Sequence, residues 1–328
     1  MPIPLLFIAA GIGTGLLGIG KSIKAGVDQK EASETNNAAD SKIKHAAEKA
    51  NESRQNCDNA IKDLGKKKVE ILNSSINTFV TEYKKIKNLK NKKANLDDGK
   101  MKIDQKEFEE LQELQKIAAS LAGGVTSGAM AGALTAFGAY GVAGVFASAS
   151  TGTAIASLSG AAATNATLAF FGGGSLAAGG LGMAGGTAVL GGLVAGPALA
   201  VLGFVVGAKA SKNLDTANAN WAKAKEYEEE MKTVADLSNG IRRRAALFER
   251  ILIQLQTVFD PLVYEMTRIV EESGTDANKY SAYEVGCIAQ AQTMAVTIKA
   301  VLNTSVIDKD GNLTKASEEI AQEYLTKS

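Results

Sequence analysis

From Ile117 to Ala208 the chain reads IAASLAGGVTSGAMAGALTAFGAYGVAGVFASAS (117–150), TGTAIASLSGAAATNATLAFFGGGSLAAGGLGMAGGTAVL (151–190) and GGLVAGPALAVLGFVVGA (191–208). These 92 positions hold no Asp, Glu, Lys, Arg or His, and Lys116 and Lys209 fence them. Gly (22) and Ala (26) fill just over half of the run, while only 28 residues are Leu, Ile, Val, Phe, Met or Tyr. A run of about 18 apolar residues already raises a transmembrane reading. A run this long without charge, yet this weakly hydrophobic, suits helices that other parts of the chain keep in water and that then enter a bilayer. A Gly/Ala-packed core inside a soluble bundle is the competing reading.

The glycines are spaced for helix contact. Gly124, Gly128 and Gly132 lie four apart, as do Gly192 and Gly196, and Gly203 and Gly207. Each set lines one helix face and lets a second backbone approach, the packing device of membrane helices. The best spanning candidate is Ala188–Ala208, whose Pro197 a membrane helix tolerates. Ile117–Ala149 is the second. At about 20 residues per crossing the block holds at most four passes.

Outward from the block, both flanks read as helical arms. In the first, Ile61, Leu64, Ile71, Leu72, Ile76, Phe79, Tyr83 and Ile86 step by three and four, apart from one longer gap and one adjacent pair, and mark a single apolar stripe. Lys42 to Lys93 would make a helix of about 78 Å. Asn95–Gly99 is a break, after which Phe108, Leu111, Leu114 and Ile117 carry the period into the block. In the second arm, Leu214, Trp221, Ala224, Tyr227, Met231, Val234, Leu237 and Ile241 lead on to Phe248, Leu252, Leu255, Phe259, Leu262, Met266 and Ile269. Asn239–Gly240 is a weak point and Pro261 predicts a kink. The two arms are expected to pair antiparallel, as partners along one stripe. Glu271–Lys279 reads as a loop, Ser281 with Glu284 as a capping box, and Asp308–Asn312 as a turn between Ile307 and Leu313. Thr314 or Ser317 opens a final helix.

The rest of the sequence narrows the function. The net charge is +1, and neither arm is basic enough overall for a nucleic-acid binder. Cys57 and Cys287 are read as packed thiols in a reducing compartment, not a disulfide framework. A single histidine, His45, leaves zinc without ligands. The 308–312 turn lacks the acidic residues of a calcium loop. There is no Walker sequence and no nucleophile elbow, so no cofactor, no small-molecule substrate and no enzyme activity are expected. Residues 1–20 lack the positive start and cleavage site of a signal peptide and read as a retained apolar helix. Lys84, Lys85, Lys87, Lys90, Lys92 and Lys93 give six lysines in ten positions. That run is a candidate contact for anionic lipid headgroups, or a solvated helix end.

These segments divide the chain into an N-terminal hydrophobic helix (1–27), a charged arm (28–116), the Gly/Ala insertion region (117–208), a second long arm (209–272) and a helical cap (273–328). The expected fold is all-α, with long amphipathic helices forming an elongated bundle around or beside a hydrophobic helical hairpin region. On the 117–208 composition and the glycine spacings at 124/128/132, 192/196 and 203/207, the layout resembles bacterial glycine-zipper proteins. More loosely it resembles helical-bundle pore formers and apolipoprotein-L-like proteins. That resemblance implies a membrane-inserting protein of the toxin or immunity-effector type that permeabilises or remodels a bilayer, with a lipid membrane and further copies of itself as partners. It implies membrane association, with a soluble cytoplasmic form allowed. An integral membrane scaffold whose arms assemble partners, and a soluble bundle, are the alternatives.

Overall fold

The computed structural model describes residues 27–89, 105–122, 134, 137–141, 214–308 and 311–327. Among them the chain is all-α, 90% helical with no strand, as the stripes predict. The described residues hold six α-helices: α1 (Val27–Ile71), α2 (Asn77–Lys85), α3 (Gln105–Ala122), α4 (Leu214–Glu272), α5 (Ala282–Asn303) and α6 (Lys315–Lys327). A π-helical turn, Leu72–Ile76, joins α1 to α2. The described residues fall into two units. Unit 1 holds 27–59, 214–242 and 311–312, and unit 2 holds the rest.

Unit 1 is built on a heptad. On α1 the buried positions include Ala32, Asn36, Ala39, Ile43, Ala46, Ala50, Ser53 and Cys57, stepping four and three in alternation. On α4 the matching series is Ala217, Asn220, Ala224, Tyr227, Met231, Val234, Ser238 and Ile241. Such a 3.5-residue period is the seam of a two-stranded coiled coil. Ala39 and Ile43 pack with Ala224, flanked by Trp221 and Tyr227. Ala46 and Ala50 pack with Met231 and Val234. Asn220 donates to Asn36 across the seam at 3.0 Å, a polar pair that fixes register at some loss of apolar burial. Lys42 pairs with Glu228 at 2.7 Å and lies over the Trp221 ring.

Unit 2 carries the large side chains. Ile61, Leu64, Ile71, Leu72, Ile76 and Phe79 on the first arm are buried with Phe248, Leu252, Phe259 and Met266 on α4, and Leu111 and Leu114 on α3. Phe79 stacks on Tyr83 (5.5 Å) and meets Phe259 (5.7 Å), and Tyr83 meets Phe108 (5.0 Å). The π turn absorbs the adjacent pair Ile71 and Leu72. One extra residue per turn moves the stripe round so that Ile76 and Phe79 stay inside, and Ser75 in that turn bonds Asp260 and Gln256 on α4. Below α2, Lys87 N–H donates to Thr275 O (2.8 Å) and Ala277 N–H to Lys87 O (3.0 Å). This pairing replaces further helix at Lys87, so the first arm ends near Lys85 and not Lys93.

The arms pair in parallel, not antiparallel. Contacts rise together along both helices: Asn36 with Asn220 and Ser53 with Asn239 in unit 1, and Ser75 with Gln256 in unit 2. The reason lies in α3. Tyr83 meets Phe108, Asn77 meets Gln115 and Asn73 meets Ala118, so α3 runs back along the first arm. Helix α3 thus runs opposite to the first arm and α4 runs with it. The antiparallel expectation counted only one reversal. Helix α4 continues unbroken through Asn239–Gly240 and Pro261.

The C-terminal signals hold. Ser281 and Glu284 form both bonds of the capping box that opens α5. Ile307 and Leu313 make an antiparallel bridge across the predicted turn, and Thr314 Oγ1 accepts from Ser317 N–H at the start of α6. Helix α5 is the one helix among the described residues long and apolar enough to cross a membrane. Some 61% of its apolar window is buried within the protein. Lys299 near its end is paired with Glu110 (2.8 Å) and Glu107 (3.7 Å) on α3.

Candidate functional site

Gly65 lies in the interior of α1, where glycine costs about 1 kcal/mol of helix stability relative to alanine. Its reason is a neighbour from the uncharged block. A Cβ on Gly65 would stand 2.1 Å from Leu134 O, and a Cβ on Gly138 would stand 2.1 Å from Ile61 O. Two backbones thus touch through a pair of glycines, the geometry the Gly spacings predict for helices of the block, here made with the arm. Leu134, Phe137 and Ala139 are buried beside the crossing.

Residues 137–140 form a last helical turn that ends at Gly141, whose φ of +61° is the left-handed stop favoured by glycine. A helix end leaves its final carbonyls without partners. Here each is met. Phe137 O accepts from Gly141 N–H (3.1 Å), and Ala139 O accepts from Val306 N–H (2.7 Å) and Ile307 N–H (3.2 Å). Tyr140 O accepts from Ser305 Oγ at 2.6 Å. Gly138 O accepts from Lys68 Nζ at 3.4 Å, and the same amine donates to Phe137 O at 3.3 Å.

Lys68 is one turn beyond Gly65 and is fully buried. Its ammonium lies 5.6 Å from the centre of the Phe137 ring and at the negative end of the short helix, two features that favour a cation. No carboxylate among the described residues pairs with it. Burial prevails and pushes the amine down to about 7 from its ordinary 10.5.

The sequence-derived positions fare differently. Gly124, Gly128, Gly132, Gly192, Gly196, Gly203 and Gly207 lie outside the described residues, as do Lys90, Lys92 and Lys93. Lys84 and Lys87 are exposed near the end of α2, and Lys85 pairs with Glu82 at 2.7 Å. The structure does not bring these lysines to Lys68. Among the described residues no group of three or more His, Cys, Asp or Glu is placed to hold a metal. Gly65 and Lys68 were missed by sequence reasoning, although the longer gap in the first arm's stripe, between Leu64 and Ile71, is where Lys68 falls.

No protein-family model matches the chain, and no curated protein and no solved structure matches it.

Proposed function

We propose that this chain is a membrane-inserting helical protein whose uncharged block permeabilises or remodels a bilayer, and whose arms hold that block in water beforehand. The observation that carries the reading is the way Leu134 and Phe137–Gly141 are held. This piece of the 92-residue charge-free run rests on the charged first arm through a glycine–glycine crossing and a buried helix end whose carbonyls are hydrogen-bonded. A shelter of this kind keeps apolar backbone out of water without burying large side chains in number. The exposed Lys84 and Lys87 supply cations for anionic headgroups, at about 1 kcal/mol each near the surface. Copies of the chain then associate through the Gly faces of the block.

The test is dye leakage from anionic liposomes with flotation of the same samples. Leakage together with flotation supports the reading. Flotation alone assigns the chain as a membrane scaffold. The absence of both leakage and flotation returns it to a soluble bundle, a second reading that draws on the burial of Leu134, Phe137 and Ala139.

A further inference from the structure

The burial of Lys68 extends the proposed function to its control. We propose that Lys68 makes the contact between α1 and residues 137–141 a proton-sensitive latch, which the neutral amine keeps closed and protonation loosens. The geometry supports this directly. As an ammonium the group has three donors and a full charge, but the site offers two long carbonyl contacts, at 3.3 and 3.4 Å, and one ring face. No carboxylate among the described residues answers the charge, and the docked amine has no exposed surface. Once the segment lifts away, water reaches the amine and the charge is stable.

Other charges on the surrounding elements do not take over this role. On α1, Lys66 pairs with Asp63 and Lys67 with Glu70 at the surface. The docked segment brings Tyr140, and the stretch after α5 brings Asp308. On α3, Glu107 and Glu110 are engaged by Lys299 of α5. At the matching register of α4 stand Glu249, half-buried, and Arg250, exposed. Burial alone displaces Lys68.

The sign follows from linkage. The docked form binds fewer protons than the undocked form between pH 7 and 10.5. Its advantage is complete above pH 10.5, falls tenfold per unit towards pH 7, and is level below that. The opening equilibrium therefore rises about tenfold from pH 8 to pH 6. The latch stands on the geometry of Lys68, whereas its use in releasing the block rests on the membrane-insertion reading.

The experiment uses the full chain carrying His45→Gln, which removes its single histidine. Hydrogen exchange is followed in the peptide containing Val306 and Ile307, whose amides bond Ala139 O, and corrected for intrinsic rates. Protection is expected to fall about tenfold between pH 8 and pH 6, to change little in Lys68→Met, and to be low at both pH values in Lys68→Arg. In parallel, a 13C-lysine titration locates the Lys68 Cε resonance, assigned from whichever variant keeps wild-type helicity. A midpoint above pH 9, protection that does not change with pH, or the same pH dependence in Lys68→Met overturns the latch. Leakage from anionic liposomes is then compared at the two pH values. Leakage at pH 6 that Lys68→Met suppresses supports the latch as the control of insertion. Switching exchange with no leakage at either pH overturns the membrane reading and leaves the latch in place.

Discussion

Replacing Gly65 with alanine separates the reasoning about the glycine crossing from ordinary helix propensity. In an open helix interior, Gly→Ala stabilises by about 1 kcal/mol. At Gly65 the new methyl would lie 2.1 Å from Leu134 O, a backbone atom that cannot swing aside. Relief requires the segment to move out by more than about 1 Å, enough to forfeit up to half of the dispersion contact at the crossing. Leu134 and Phe137 each contribute about 1.5–3 kcal/mol when fully buried, so losing part of both costs about 2 kcal/mol. The Lys68 contacts to the carbonyls, already 3.3 and 3.4 Å long, would open, leaving Gly138 O unmatched at a further 1–2 kcal/mol or so. Against the propensity gain, the net expectation is a loss of about 2–3 kcal/mol. Gly286 on α5 supplies the control, because a Cβ there meets nothing within 4 Å, and Gly286→Ala should stabilise by about 0.5–1 kcal/mol. Urea unfolding followed by circular dichroism at 222 nm reads both, and the Gly65→Ala midpoint should fall by about 1 M. A Gly65→Ala midpoint at or above the wild type, or shifts of the same sign in both variants, would refute the crossing.

Three further outcomes are expected. Glu107→Gln combined with Glu110→Gln leaves the Lys299 ammonium, 9% exposed, without a counter-charge and should cost about 2 kcal/mol in thermal melts. Lys299→Met should change stability by less than about 1 kcal/mol, and the reverse order would show that the cluster is not held by its cation. Ser281→Ala removes the cap of α5 and should cost about 1 kcal/mol, most of which Ser281→Asp restores. Burial first, then Asp58, pushes the Cys57 thiol up to about 12 against the pull of Arg242. The folded chain at pH 8 should therefore label at Cys57 only as fast as it opens, and rapid labelling in peptide maps would contradict that burial.

The arms were legible because long helices repeat their signal. The apolar stripes and the Ser281–Glu284 box are local patterns, and each sits where the sequence places it; the Ala32–Cys57 heptad, mostly alanine and polar residues, carries no such apolar signal. The direction of the arms was not legible. It depends on whether the chain reverses once or twice between them, and Phe108, Leu111 and Leu114 announce a helix without saying which way it runs. The two irregularities in the first arm's stripe carried the missing information. The adjacent pair Ile71 and Leu72 marks the π turn, and the gap between Leu64 and Ile71 holds a lysine that faces inward. A lysine on an apolar stripe ordinarily extends its ammonium to water, so no sequence rule puts Lys68 inside. It is inside because the Gly65 crossing brings helix-end carbonyls over it. In the same way, glycine spacing within the block points to helix contact, while the contact seen pairs a block glycine with an arm glycine that stands alone.

Side-chain burial along α1 predicts uneven stability in one continuous helix. Its unit 1 half buries Ala32, Ala39, Ala46 and Ala50 with a single large aliphatic, Ile43, while its unit 2 half buries Ile61, Leu64 and Ile71. Each exchange of a large aliphatic side chain for alanine removes about 1.5–2 kcal/mol of burial. The unit 1 half also buries Asn36, Ser53 and Arg54. Two guanidinium nitrogens of Arg54, with Asp40 Oδ1 and Asn51 Oδ1, have no hydrogen-bond partner among the described residues, and each such group costs about 1–3 kcal/mol. Amides of 27–59 and 214–242 should therefore exchange at least about a hundredfold faster than those of 60–71 and 243–272. Uniform protection along α1 would refute this and would mean that Arg54 and its neighbours are better matched than the described residues show. The difference bears on the proposed release. Gly65 and Lys68 stand in the well-packed half, so residues 137–141 are held by the part of the helix that does not fray. Fraying of the unit 1 half leaves the latch intact, and what opens it must act at the contact itself, where the chemistry available is the proton on Lys68.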